Sequence, residues 1–288
     1  MGLTINNNMM AMTVARNFNT AFNQLSGSTN KLSSGMRINT AGDDAAGLAV
    51  SELLRADIAA LNQGVRNAAD AQSLLQTADG GLAIIDEKLI RMKELAEQAA
   101  TGTYSSVQRG IMNNEFVTMR SEITRIATAV RFNGVQLING NLSSTTVVTT
   151  ANSVNPLKIH FGPTNLAAED YYFISVGDAR AAALGLDGLS IASQTGAQGA
   201  LEAITTAIVS KDTIRANLGA YSNRLSNTIS QITIQAENLQ AAESRVRDVD
   251  VATEMTNFVT NQIKSQAAIA MLAQANMIPN MALTLIGG

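Results

Sequence analysis

The chain has no cysteine and no tryptophan, and only three prolines in 288 residues. Without cysteine, disulfides and thiolate metal sites are excluded, and folding is indifferent to the redox state of its compartment. Few prolines leave helices uninterrupted. Aromatic residues make up 4% of a chain that is 46% hydrophobic. Such a composition implies long helices packed through small and aliphatic side chains, not the aromatic-rich interior of a compact enzyme. Charge is scarce too: 20 basic and 23 acidic residues give a net −3, and charged residues are 15% of the chain. No segment is strongly basic, so neither a nucleic-acid partner nor an anionic membrane surface is indicated. A surface so sparsely charged points to contact with other protein. No apolar run reaches the ~18 residues that span a bilayer, because Gln274, Asn276, Pro279 and Asn280 interrupt the apolar C-terminal stretch. The opening Met1-Gly2-Leu3-Thr4-Ile5-Asn6 lacks the regions of a secretory signal, and Asn6 does not fit a myristoylation motif. If the protein leaves the cell, it must do so by a route that reads something other than a cleaved signal.

What is present is helical periodicity on both sides of one irregular segment. Phe18, Phe22, Leu25, Leu32 and Met36 recur at coiled-coil spacing, with Ile5, Met9 and Met12 upstream and an Asn, Thr, Gln and Ser face opposite. After Gly42-Asp43-Asp44, Leu54, Leu61, Ala68, Leu75, Leu82, Leu89 and Ala96 hold a strict seven-residue repeat. Ile58, Val65, Ala78, Ile85, Met92 and Ala99 fill its companion positions. At about 1.5 Å per residue, some 50 residues make a rod of roughly 75 Å. Gly80-Gly81 predicts a local irregularity within it. Thr101-Gly102-Thr103 ends this stretch, and Ser105 or Ser106 is placed to cap a third helix carrying Ile111, Met119, Ile123, Ile126 and Val130. Asn133-Gly134 marks a tight turn. Thr145–Thr149 and Tyr171–Val176 are β-prone among Gly, Pro, Asn and Ser. Helical spacing returns with Ile214, Leu218, Tyr221, Leu225, Ile232, Leu239 and Val246, then Met255, Val259, Ile263, Ala267, Ala270 and Met277.

The expected fold is mainly α: an elongated antiparallel helical bundle or coiled coil with both termini paired at one end and a small β-hairpin region in the middle. Residues 1–42 with 245–288 form an inner terminal-helix domain, 43–130 with 193–244 an outer rod, and 131–192 a small surface-exposed hairpin insert. The rod core is predicted at Leu54, Leu61, Leu75, Leu82, Leu89, Leu218, Leu225 and Leu239. Assembly seams are predicted at Ile5, Met9, Met12, Phe18, Phe22, Leu25, Leu32, Met255, Val259, Ile263, Ala270 and Met277.

No set of side chains points to a reaction. His160 is the sole histidine, and zinc or triad chemistry needs partners that the chain lacks. Asp43-Asp44 directly precedes a helix and reads as capping charge rather than an acid–base pair. Gly185-Leu186-Asp187-Gly188 lacks the end of a phosphate loop. Twelve methionines fall mostly on apolar seams, where packing is their ordinary use. Arg245, Arg247, Asp248 and Asp250 read as a solvated or intersubunit face. A non-enzymatic, cofactor-free structural protein is expected.

Several motifs, in order, carry a resemblance. Leu32-Ser33-Ser34-Gly35-Met36-Arg37-Ile38-Asn39 is followed by Ala41-Gly42-Asp43-Asp44-Ala45-Ala46-Gly47-Leu48-Ala49. Further on come Arg91-Met92-Lys93-Glu94-Leu95-Ala96, Phe132-Asn133-Gly134, Ser244-Arg245-Val246-Arg247-Asp248-Val249-Asp250-Val251-Ala252-Thr253-Glu254-Met255 and Leu272-Ala273-Gln274-Ala275-Asn276. With these the chain resembles bacterial flagellins over about residues 3–140 and 195–285. The resemblance implies a subunit that polymerises into the helical filament used for swimming, with terminal helices that order on assembly and line the export channel. It implies an extracellular, flagellar location after export without signal cleavage. It also implies an export chaperone at the C-terminal helices, and filament-cap and hook-junction proteins as partners. Arg91, Leu95 and Glu115 match the positions at which an animal Toll-like receptor recognises some family members. A hook–filament junction protein is the nearest alternative, and a parallel trimeric adhesin or phage fibre is a more distant one. A protease insert is disfavoured, since a His-Glu-x-x-His motif needs two histidines.

Overall fold

The computed structural model describes residues 7–143, 156–167 and 169–286. Among them the order is α1 (Met9–Ser34), α2 (Ala45–Ala100), α3 (Ser106–Ala129), β1 (Arg131–Phe132), β2 (Val135–Gln136), β3 (Leu157–His160), β4 (Tyr171–Ile174), α4 (Gln194–Arg247) and α5 (Val251–Ile286). The mainly helical architecture with short antiparallel hairpins agrees with the composition and periodicity. Ile5 and the β-prone Thr145–Thr149 lie outside the described residues. The chain divides into two compact units, residues 1–56 with 237–288, and residues 57–236. These boundaries fall inside α2 and α4, whereas the sequence reading divides the chain after residues 42 and 244. The reason is that the first turns of α2 and the last of α4 engage the linkers of the first unit.

In that first unit the helix starts are capped by nearby side chains. Asn8 caps α1, accepting from the Ala11 amide at 3.0 Å, and its own amide donates to the Ala275 carbonyl of α5 at 2.7 Å. α1 ends at Gly35 in the left-handed region. Asp44 caps α2 through the Gly47 amide, and Asp250 caps α5 through the Ala252 amide. Asp43 has a different task. It binds the Asn39 and Thr40 amides and so closes the turn between α1 and α2. The two linkers then zip together, with the Arg37 amide donating to the Arg247 carbonyl and the Val249 amide to that of Gly35. Arg247 also reaches Glu52 at 2.8 Å and the Met36 sulfur at 3.0 Å. With a side chain only 12% exposed, it braces the linkers and is not the solvated residue expected from sequence.

The second unit is organised by the seven-residue repeat of α2. Leu61, Leu75, Leu82 and Leu89 are buried, as are Leu218 and Leu225 of α4; Leu54 and Leu239 lie in the first unit and are half-buried. Phe116, Ile123 and Ile126 of α3 complete the helical part of this core. The Ser105–Gln108 capping box starts α3. Two ion pairs join α2 to α4, Asp86 with the buried Lys211 at 2.5 Å and Asp79 with Arg215 at 2.7 Å. No irregularity occurs at Gly80-Gly81, where α2 is continuous. Gly81 is there for space: an added Cβ would sit 2.6 Å from Cγ2 of Val130. Packing at that point outweighs the weak helix propensity of glycine.

The middle of the chain is more than a surface insert. Leu137, Ile138, Leu142, Ile174, Val176, Ala179, Leu184, Leu186 and Ile191 are buried in the same core as the helices. Asn133 and Gly134, at φ 47° and 81°, form the tight turn between β1 and β2. β4 pairs antiparallel with β3, a partner the periodicity did not reveal. This second hairpin is pinned to α2. Asn67 donates to the His160 carbonyl at 2.9 Å, and Gly64 leaves room for the Phe161 carbonyl, with which any Cβ would collide.

Candidate functional site

α1 and α5 make the most extensive close helix–helix approach in the described structure. On α1 the covered side is Ala11, Val14, Phe18, Ala21, Leu25, Ser28 and Leu32; on α5 it is Glu254, Phe258, Asn261, Ser265, Ala268, Leu272 and Ala275. Both series alternate three- and four-residue steps, the spacing of a paired coiled coil. Of the positions predicted as assembly seams, Met255, Val259, Ile263, Ala270 and Met277 on α5 are all exposed, Ile263 at 61%, as are Met9, Met12 and Phe22 on α1, while Phe18, Leu25 and Leu32 turn toward α5. The covered stripes intersperse large apolar residues with Ala, Ser and Asn, whose small size lets two helix backbones approach closely, and a position next to a stripe is turned about 100° away from it. The exposed apolar residues therefore form a separate, outward face.

Each terminal helix thus has two functional sides. One is a closely packed seam that mixes apolar residues such as Phe18, Leu25, Phe258 and Leu272 with small and polar ones, and it opens into a polar groove lined by Gln24, Ser28, Lys31, Asn257, Asn261 and Lys264. The other is an apolar face with nothing of the first unit over it. The missed seam did carry a signal, since the positions from Glu254 to Ala275 keep perfect heptad spacing. Asn261 and Ser265 hid it, because a search for large apolar residues passes over them. The linkers at the base of these helices are held by carboxylates whose pKa values lie below the ordinary range. Asp43 is lowered chiefly by the Thr40 amide, Glu52 by the Arg247 guanidinium and Asp250 by the Thr253 hydroxyl.

The remaining sequence candidates fall in the second unit and are not brought together with this surface. Arg91 pairs with Glu115 and with Glu94, each at 3.0 Å, in the open. Leu95 is only 2% exposed and belongs to the core, so of the three receptor-matching positions two are accessible. His160 stacks on Tyr171, ring centroids 6.0 Å apart. Among the described residues no group of three or more His, Cys, Asp or Glu is placed to hold a metal ion, and no helix is long and apolar enough to cross a membrane.

A helical subunit whose paired ends present large apolar side chains outward is a self-associating structural protein. Residues 5–143 match the bacterial flagellin N-terminal helical region, and residues 201–286 the C-terminal helical region. A flagellin of Halalkalibacterium halodurans is 40% identical over 99% of this chain and 100% of the relative. The flagellar filament 30.7 kDa core protein of Treponema maltophilum is 39% identical over 95% and 96%. A putative flagellar hook-associated protein from Vibrio parahaemolyticus shares the fold at TM-score 0.56, with 15% identity over 72% of this chain and 100% of that one. The chain belongs to the bacterial flagellin family, and it is a structural subunit of the flagellar filament.

Proposed function

We propose that the outward apolar faces of α1 and α5 are the surfaces by which subunits pack into the filament, and that the terminal helices gain their full order only there. The observation that carries this is the division of labour on the two helices: one stripe of each packs on the other helix, and further large apolar side chains stay uncovered. Met9, Met12, Phe22, Met255, Val259 and Ile263 are 43–64% exposed. Full burial of such a side chain is worth roughly 1.5–3 kcal/mol, so covering the open half of each gains about 1 kcal/mol. Six together supply roughly 6 kcal/mol per subunit, partly offset by ordering entropy. Head-to-tail contacts that do not close into a ring give an open helical polymer. Faces rich in Asn, Gln and Thr would line the central channel through which new subunits travel to an extracellular flagellum.

The same faces suit the other partners the family implies. An export chaperone would cover the C-terminal helix before assembly, and cap and hook-junction proteins would meet the polymer at its ends. Recognition by an animal Toll-like receptor would use the exposed Arg91–Glu115 pair. The test of the assembly reading is substitution at two outward positions. Phe22→Asp and Ile263→Asp remove apolar surface and would bury an unpaired carboxylate in the polymer. Each is expected to abolish seeded elongation in a sedimentation assay while leaving the thermal unfolding of residues 57–236 unchanged. Normal filaments from either variant would overturn the assignment.

A further inference from the structure

The exposed thioethers of the described residues are confined to the two terminal helices. Met9, Met10 and Met12 on α1 and Met255, Met271, Met277 and Met281 on α5 are 44–64% exposed. The other described methionines are shielded. Met92 is fully buried, Met112 and Met119 pack against the core of the second unit, and Met36 is half-buried against Arg247. None of the seven exposed methionines belongs to the stripes by which α1 and α5 pair. Their chemistry can therefore change without disturbing the pairing of the helices.

We propose that these seven methionines make assembly sensitive to oxidation, so that hydrogen peroxide inactivates the free subunit and spares the polymerised one. This rests on the reading that the outward faces are covered in the filament. In the reaction a thioether lone pair attacks one peroxide oxygen, the O–O bond breaks, sulfur loses two electrons and the peroxide is reduced to water. An apolar side chain becomes a polar sulfoxide. A sulfoxide oxygen carried into an apolar subunit contact has no donor to meet it, so the contact is lost. Valine, isoleucine and phenylalanine on the same faces do the packing without this liability, and methionine adds reversibility through sulfoxide reductases.

The experiment treats purified monomer and preformed filaments with the same limiting dose of hydrogen peroxide and maps sulfoxides by peptide mass spectrometry. Seeded elongation is then measured before and after treatment with both methionine sulfoxide reductases. In the monomer the seven positions are expected to oxidise at least tenfold faster than Met92, and in filaments at least tenfold more slowly than in monomer. Oxidised monomer is expected to keep its helical circular dichroism, to show a critical concentration at least tenfold higher, and to recover on reduction. A variant with all seven changed to Leu, a volume-conserving exchange, is expected to elongate undiminished after peroxide. If that variant fails to assemble at all, recovery on enzymatic reduction decides. Normal elongation by oxidised monomer, with filaments protected, would overturn this inference and leave the assembly reading standing. Equal oxidation of monomer and filament would remove the assembly reading itself.

Discussion

Two adjacent glycines on α2 should respond in opposite directions to the same substitution. At Gly80 an added Cβ meets nothing within 4 Å. Alanine there gains helix propensity alone, about 0.8–1 kcal/mol. At Gly81 the Cβ would stand 2.6 Å from Cγ2 of Val130 and 3.2 Å from Cδ1 of Ile138. Overpacking of this kind costs about 1–3 kcal/mol. After the propensity gain, Gly81→Ala is expected to be destabilising by roughly 1 kcal/mol, so the two variants should differ by about 2 kcal/mol. All four tyrosines, at 104, 171, 172 and 221, lie in the unit formed by residues 57–236, and the chain has no tryptophan. Near-ultraviolet tyrosine dichroism during urea unfolding of the monomer therefore reports on this unit alone. Val130→Ala removes the methyl groups in the way, and combined with Gly81→Ala it should give a favourable coupling of about 1 kcal/mol in a double-mutant cycle. Equal stabilisation by Gly80→Ala and Gly81→Ala, or absence of coupling to Val130, would refute the packing argument.

Gly64→Ala should detach the second hairpin from α2, because its Cβ would strike the Phe161 carbonyl; faster protease cleavage within residues 157–174, with loss of about 2–3 kcal/mol, is the expected result. Acid should loosen the linkers between the terminal helices and their neighbours. Asp43, Glu52 and Asp250 have pKa values depressed by the fold, so each contributes stability above its ordinary value, 3.8 for the aspartates and 4.5 for the glutamate. That contribution is lost as pH falls below those values and through the lower folded ones. Amide hydrogen exchange across residues 35–44 should accelerate over this interval, and Glu52→Gln should already be fast at neutral pH. An exchange profile that is flat with pH would argue against these carboxylates as the ties.

Much of this architecture was legible without coordinates because it is local. The heptads of α2, the Ser105 cap, the Asn133-Gly134 turn and the helix-starting carboxylates each depend on residues a few positions apart. The flagellin motifs likewise lie in continuous segments. The errors arose where distant segments meet. Leu157–His160 is an unremarkable stretch until Tyr171–Ile174 comes beside it, and Leu137 and Leu186 become core only because the helices leave a space that they fill. Gly80-Gly81 suggested a local irregularity that packing carries the helix through, and only the fold shows that Val130 is what stands against Gly81.

The terminal helices hold the clearest case. Their periodicity sets out stripes around each helix, and a stripe is a property of one segment. Which stripe is used depends on how closely a second backbone can approach, and that is a property of the pair. One stripe of each helix, apolar residues interspersed with small ones that allow a short distance, is taken up in the contact between α1 and α5, and the other large apolar residues are left facing outward. Sequence was enough to say that these helices pack; three-dimensional pairing assigned each face to its use, because steric fit between remote segments is not written in either segment alone.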